Sequence, residues 1–344
     1  ALCQELKKRN IDFLRDEPLS KHTSFRIGGP ARVFCTPKNS EQMAEVVGLC
    51  RQNGVRYYLL GKGSNVLFSD AGFDGAVLNT AAMAGAPRFE GTTVYADAGL
   101  GLNTLCKAAA AQGLSGLEFA FGIPGSVGGA VYMNAGAYGG EMRDVLTAVT
   151  FLDETGTVRT LPAEELELGY RTSIFERTGW HVLSAQLHLV PGDPAQIEAA
   201  MQELMARRVE KQPLEYPSAG SAFKRPQGAF AGALIQQCGL RGARVGGAAI
   251  SEKHCGFIVN LGGATCADVL ALADLVCKTV KEQTGYTLEK EILTRMCGRL
   301  TPEQEAGYRQ LIEAYRVLEA SPEEPDREMR LLELDNAFHR RAFE

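Results

Sequence analysis

Two glycine-rich turns about sixty residues apart constrain this chain more than any other feature: Gly61-Lys62-Gly63-Ser64-Asn65 and Gly122-Ile123-Pro124-Gly125-Ser126-Val127-Gly128-Gly129-Ala130. The first follows Tyr57-Tyr58-Leu59-Leu60 and precedes Val66-Leu67-Phe68, so it reads as a tight connection between two short buried strands. Glycine amides with no Cβ in the way can approach an anion closely, which is the chemistry of backbone that touches phosphate. The second turn runs on into Val131-Tyr132-Met133-Asn134-Ala135-Gly136, where small residues would let a flat or extended ligand lie against the main chain. Neither turn is a Walker A sequence, and no Gly-x-Gly-x-x-Gly opens an ordinary Rossmann unit. A Gly-x-Gly-Ser-Asn turn on its own is more often a plain strand connection. Here 38 glycines in 344 residues exceed the roughly 24 that average usage predicts, and the surplus gathers in these turns and in Gly242 to Gly263. That clustering favours a ligand-lined cleft.

The length suggests two or three domains, and 45% hydrophobic content is enough to bury more than one core. No apolar run reaches the ~18 residues needed to span a bilayer, and Ala1-Leu2-Cys3-Gln4-Glu5-Leu6-Lys7-Lys8 lacks a signal-peptide core, so the cytoplasm is the expected location. Nine cysteines include no Cys-x-x-Cys pair, which predicts buried thiols rather than a disulfide framework or zinc knuckle. A net charge of −5 argues against nucleic-acid binding, which needs a basic stripe. Residues 296–344 hold 11 Asp+Glu and 7 Lys+Arg, so this tail contributes −4 of the −5 and the body is nearly neutral towards an anionic ligand.

The pattern divides into lobes at 1–80, 81–195 and 196–295, with a helical extension over 296–344. In the first, a helix from Glu41 to Asn53 and then a strand deliver the chain to the first glycine turn. The second holds a strand near Thr92–Ala96, a helix from Asn103 to Gln112, a hairpin around Asp153-Glu154-Thr155-Gly156 and a strand over Trp180–Leu189. Pro191-Gly192-Asp193-Pro194 marks the next boundary, before a helix through Ile197, Met201, Leu204 and Met205 that ends in the basic run Arg207-Arg208-Val209-Glu210-Lys211. Beyond it the pattern predicts a loop from Tyr216 to Pro226, a helix from Phe230 to Cys238, and strands at Gly247–Ile250 and Phe257–Asn260. A helix from Cys266 to Thr284 and a last strand around Leu288–Leu293 follow. In the extension, Thr301-Pro302-Glu303-Gln304 and Ser321-Pro322-Glu323-Glu324 read as capping boxes. Tyr308, Leu311, Ile312, Tyr315 and Leu318 form one apolar stripe, to be buried on the body or in self-association.

Three segments place proton-moving or anion-binding side chains beside turn residues: Tyr170-Arg171-Thr172-Ser173-Ile174-Phe175, Ala219-Gly220-Ser221-Ala222-Phe223-Lys224-Arg225-Pro226, and Leu288-Glu289-Lys290-Glu291-Ile292. Taken singly, Arg171 could be a surface ion-pair partner, Ser221 a turn hydroxyl and Glu291 an exposed carboxylate on an edge strand. Of the five histidines, none has metal-ligand spacing, and no metal is expected. His181 and His188 lie in a strand pattern, while His254 precedes a strand at a candidate cleft edge.

Leu19-Ser20-Lys21-His22-Thr23-Ser24-Phe25-Arg26-Ile27-Gly28-Gly29-Pro30-Ala31, the first glycine turn, Gly122 to Gly139, the Tyr170–Phe175 segment, Gly220-Ser221-Ala222-Phe223-Lys224 and Leu288–Glu291 occur in this order. In sequence and order they resemble the UDP-N-acetylenolpyruvoylglucosamine reductase family, over about residues 15–295. The resemblance implies an α+β fold: two lobes of the vanillyl-alcohol-oxidase (PCMH) type around FAD, plus an α+β substrate domain. It places the FAD pyrophosphate on Gly61, Lys62, Gly63, Ser64 and Asn65, with Gly122, Ile123, Pro124, Gly125, Ser126, Gly128, Gly129 and Ala130 lining adenosine and flavin. With no histidine or cysteine in the first turn, the flavin is expected to be non-covalent.

The implied chemistry is reduction of FAD by NADPH, followed by hydride delivery to the enolpyruvyl ether of UDP-N-acetylglucosamine enolpyruvate in peptidoglycan precursor synthesis. Arg171 and a protonated Glu291 would polarise the substrate carboxylate, Ser221 would donate the proton, and Lys224, Arg225 and His254 would meet the substrate. Arg225 stands where relatives usually carry Asn, and Lys290 where Pro is frequent. The spacing of 50 residues from Arg171 to Ser221 resembles the short family form, which lacks an inserted tyrosine loop. An oxygen-using flavin oxidase of the same superfamily is the alternative.

Overall fold

Among the described residues, three hydrophobic cores organise the chain. The computed structural model describes residues 1–292, so the capping boxes and apolar stripe expected after residue 296 lie outside the described residues. The first core is built on a four-stranded sheet in the order Phe13–Pro18, Pro30–Cys35, Phe73–Asn79, Tyr57–Leu60. The outer pair is antiparallel, and Phe73–Asn79 runs parallel to both of its neighbours. The helix Ser40–Gln52 starts where the Asn39 side chain accepts the Gln42 amide. Its Met43, Val46, Val47 and Cys50, at helical spacing, pack with Val33, Cys35, Ala76 and Leu78.

Val66-Leu67-Phe68 is not the strand that its apolar character suggested. All three residues are buried, but for tertiary reasons: Leu67 enters the third core and Phe68 lies edge-on to Tyr58 at 5.6 Å. The first glycine turn therefore leaves a strand and enters irregular buried chain.

The second core lies under an antiparallel sheet ordered Val158–Pro162, Leu146–Leu152, His181–His188, Thr93–Asp97, Arg88–Glu90. The hairpin around Asp153 is present, with Leu152 paired to Val158. Helices Leu102–Ala111 and Pro194–Lys211 complete this layer. Ile197 and Met201 join the second core, so the expected lobe boundary at residue 195 falls at the start of a helix that packs backwards.

The third core begins at Ala219 and borrows Phe25, Ile27 and Leu67 from the first hundred residues. Its antiparallel sheet runs Ser218–Ser221, Phe257–Asn260, Ala248–Ile250, Arg244–Val245, with helices Ala231–Gln237 and Cys266–Thr284 packed into the same core. Ser218–Ser221 forms a strand inside what read as a loop. The expected strand near Leu288 is reduced to one bridge, Phe223 with Lys290.

Polar ties also join the first and third cores. Asp70 Oδ1 accepts the Cys266 amide at 2.8 Å and its Oδ2 accepts the Ala267 amide at 3.3 Å, capping the long helix from another lobe. Asn260 Nδ2 donates to the Phe25 carbonyl at 3.1 Å in buried surroundings.

Candidate active site

The two glycine turns meet in space. A Cβ on Gly61 would fall 2.6 Å from Ser126 Oγ, so the approach depends on the missing side chain. Asn79 Nδ2 donates to the Gly61 carbonyl at 3.1 Å. Gly63 has φ +62°, and a Cβ there would lie 2.1 Å from the His22 carbonyl oxygen, while its own carbonyl accepts the Ser24 amide at 3.0 Å. Lys62 is exposed and reaches alongside Gly101, where an added Cβ would meet Nζ at 2.5 Å. Ser64 and Asn65 are half-buried, with Asn65 Nδ2 3.7 Å from Met133 Sδ.

After Ser126 the second turn is helical rather than extended. Ser126 Oγ accepts the Gly129 amide and caps the short helix Val127–Tyr132. Gly128 allows that helix to press on Ala98, whose Cβ would be 2.8 Å from a Cβ on Gly128. Gly125 accepts the Leu102 amide at 3.0 Å, the Gly122 amide donates to Asn103 Oδ1 at 2.7 Å, Ile123 packs on the second core, Pro124 is exposed and Ala130 is buried. The juxtaposed turns thus offer bare main chain, flanked by a lysine and small polar side chains, which fits an extended dinucleotide such as FAD.

The proposed reacting residues lie on other segments. Arg171 sits in a tight turn closed by reciprocal Gly169 and Thr172 bonds, with φ +56°, a conformation that costs a non-glycine residue about 1 kcal/mol. Arg171 Nη2 donates to the Gly136 carbonyl at 2.9 Å and its Nε lies 3.5 Å from Glu291 Oε1. Glu291 is buried, not an exposed edge carboxylate. Chain 222–224 runs antiparallel to 289–291: the Glu291 amide donates to the Ala222 carbonyl and the Lys224 amide to the Glu289 carbonyl, each at 2.8 Å. Ser221 is thus next in sequence to the residue whose carbonyl takes the Glu291 amide. Ser221 Oγ, half-buried, donates to the Phe223 carbonyl at 3.1 Å or the Gly256 carbonyl at 3.4 Å.

The three expected substrate residues are held differently. Lys224 Nζ lies 3.3 Å from Glu289 Oε2. The Arg225 guanidinium stacks 3.8 Å from the centre of the exposed Phe230 ring, and its amide donates to Tyr170 Oη at 3.4 Å. His254 Nδ1 accepts the Gly256 amide at 3.0 Å, which places the ring proton on Nε2. Burial pushes the His254 pKa down, so the neutral form is favoured.

Residues that motif reading left without a role organise this arrangement. Asn134, fully buried with φ +42°, donates from Nδ2 to the Gly169 carbonyl at 3.0 Å, and Ser173 Oγ donates to the Tyr132 carbonyl at 2.7 Å. Together they fasten the Arg171 turn to the end of the glycine-turn helix. Ser24 Oγ donates to the Ser218 carbonyl at 2.6 Å, joining the first glycine turn to the strand that ends at Ser221. Their positions inside quoted motifs were the available signal.

A family model described as an FAD binding domain matches residues 31–162, spanning both glycine turns. A second, described as the C-terminal domain of UDP-N-acetylenolpyruvoylglucosamine reductase, matches residues 212–294, which hold Ser221, Lys224, Arg225, His254 and Glu291. The UDP-N-acetylenolpyruvoylglucosamine reductase of Lachnoclostridium phytofermentans is 51% identical over 281 residues, covering 80% of this chain and 91% of its own. The chain belongs to the UDP-N-acetylenolpyruvoylglucosamine reductase family. The Geobacillus kaustophilus reductase is likewise 51% identical over 291 residues, 85% of this chain and 94% of its own. The crystal structure of the Thermus caldophilus reductase matches with a TM-score of 0.70 at 37% identity, over 84% of this chain and 99% of that one. The fold is therefore the α+β FAD-binding architecture of the vanillyl-alcohol-oxidase type, joined to the reductase C-terminal domain, and the protein is an FAD-dependent oxidoreductase.

Proposed function

We propose that the protein reduces the enolpyruvyl ether of UDP-N-acetylglucosamine enolpyruvate to UDP-N-acetylmuramate, with FAD bound non-covalently and NADPH as reductant, in peptidoglycan precursor synthesis. The observation that carries this reading is the Arg171–Glu291 pair at 3.5 Å with Ser221 on the adjoining segment. The chemistry that FAD supplies when bound is hydride transfer from NADPH to the methylene carbon of the enolpyruvyl group. Addition there leaves an electron pair on the neighbouring carbon, conjugated with the substrate carboxylate.

Arg171 supplies fixed positive charge towards that carboxylate, pre-oriented by the Gly136 carbonyl and its turn. Glu291, in its protonated form, donates a hydrogen bond to the same developing charge. Ser221 Oγ gives its proton to the carbon, completing net addition of one hydride and one proton across the double bond. Lys224 and Arg225 meet the sugar diphosphate. His254, with Nδ1 occupied by Gly256, offers only its Nε2–H at the rim.

We place the FAD lobes at about 1–80 and 81–195, the substrate lobe over about 196–295, and the enzyme in the cytoplasm with its nucleotide substrates. Among the described residues no helix is long and apolar enough to cross a membrane. The tail beyond residue 296 is proposed to pack on the body or to mediate self-association. Stopped-flow spectroscopy tests the reaction: NADPH should bleach a bound flavin under anaerobic conditions, and the enolpyruvyl sugar should restore the colour. Reoxidation by oxygen but not by the sugar would replace this reading with a flavin oxidase.

A further inference from the structure

Arg208 is 7% exposed, although it belongs to a run of charged residues at the end of the helix Pro194–Lys211. Its guanidinium lies on the second glycine turn, where a Cβ on Gly122 would fall 2.9 Å from Nε and 3.0 Å from Met205 Sδ. Tyr138, in the Gly136–Glu141 hairpin, holds its ring centre 5.6 Å from the guanidinium carbon. Nη1 donates to Gln212 Oε1 at 3.2 Å. Nε is buried with no hydrogen-bond partner, the one such side-chain nitrogen or oxygen among the described residues. Burial pushes the guanidinium pKa down, and only the Tyr138 hydroxyl opposes that shift.

A buried cation with an unsatisfied donor carries a large desolvation penalty, and an apolar side chain of similar length would remove it. Its neighbour Arg207 shows the usual arrangement, more than half exposed beside Glu203. Gly122, Tyr138, Met205 and Gln212 around Arg208 belong to the FAD-binding lobe or to Arg208's own helix and its end. The missing acceptor is thus an oxygen brought by a ligand of the glycine turn rather than of the Ser221–Glu291 segment. We propose that Arg208 anchors the cofactor, donating its Nε–H to an oxygen of bound FAD. This rests on the flavoprotein reading above.

Arg208→Met keeps the chain length and removes every donor, while Arg208→Lys restores a charge without the planar fork. The measurements are the melting temperature of apoprotein, the FAD dissociation constant by fluorescence titration, and the enolpyruvyl sugar dissociation constant of FAD-loaded protein. Arg208→Met apoprotein should melt no lower than wild type, since an unpaired charge has been removed. Its FAD dissociation constant should rise by roughly tenfold or more, as expected for a lost charge-assisted bond, and lysine should recover part of that loss. Lower apoprotein melting with unchanged FAD affinity overturns the proposal in favour of a packing role. Unchanged FAD affinity with weakened sugar binding overturns it in favour of a substrate anchor. Wild-type apoprotein that takes up no FAD sinks the flavoprotein reading itself, and this assignment with it.

Discussion

Asn134 donates to the Gly169 carbonyl at 3.0 Å while its Oδ1 accepts the Arg143 amide at 2.9 Å. One buried side chain therefore clamps the turn carrying Arg171 on one side and, on the other, the turn Met142–Asp144 that follows the hairpin contacting Arg171. Asn134→Ala leaves two backbone groups unsatisfied and strains a left-handed position, at about 2–3 kcal/mol of stability. Because the clamp acts on Arg171 and not on the first glycine turn, flavin reduction by NADPH should stay near wild type. Sugar-dependent reoxidation should slow by roughly tenfold. Equal slowing of both half-reactions would make Asn134 a general stability residue.

Ser221→Ala removes a proton donor and no glycine-turn contact. NADPH should bleach the flavin at near wild-type rate, while reoxidation by the enolpyruvyl sugar slows by on the order of 10²–10⁴. Ser221→Cys should recover part of the loss, because a thiol can still give a proton. If alanine slows both halves alike, Ser221 positions other groups and the proton comes from elsewhere.

Acid or heat precipitation should release all of the flavin. No histidine or cysteine occurs in Gly61–Asn65 to form a covalent link. Yellow colour or flavin fluorescence retained by the washed, precipitated protein would refute this.

His181 stands 3.3 Å from Tyr57 Oη across the seam between the first two lobes. Burial, and then the Arg51 charge, push its pKa from 6.5 down to about 4. The native state thus declines a proton that the unfolded chain accepts below its ordinary pKa. Stability from this site is complete above about pH 6.5 and falls as pH drops towards 4, by roughly 3 kcal/mol. Urea midpoints at pH 7, 6 and 5 should decline less steeply for His181→Gln than for wild type; parallel declines would assign the loss to other groups.

Legibility in the sequence followed the local nature of each signal. The helix Cys266–Thr284 was readable to the residue because Thr265 and Asp268 form a reciprocal capping box and Gly285 ends it at φ +78°. The Arg171 and Glu291 segments were readable as motifs, although their 3.5 Å approach comes from pairing across 120 residues (291 − 171) that no periodicity encodes. The helix Val127–Tyr132 was missed because Gly128 and Gly129 lower helix propensity. Its cap on Ser126 and its contact with Ala98 override that preference. Arg208 read as part of a basic run, since which arginine turns inward depends on helical phase and on a glycine 86 positions earlier (208 − 122).

The borrowing of Phe25, Ile27 and Leu67 by the third core bears on how the chain reaches its native state. During synthesis these residues emerge early, yet the Ser24 bond to Ser218 spans 194 positions and the Asn260 bond to Phe25 spans 235. Their native partners do not exist until most of the polypeptide has been made. Contacts of that sequence separation form slowly, so covering these side chains waits on the later part of the chain. A fragment beginning at Ala219 would lack three of its own core side chains, which makes this third core a product of the whole chain rather than a separable module.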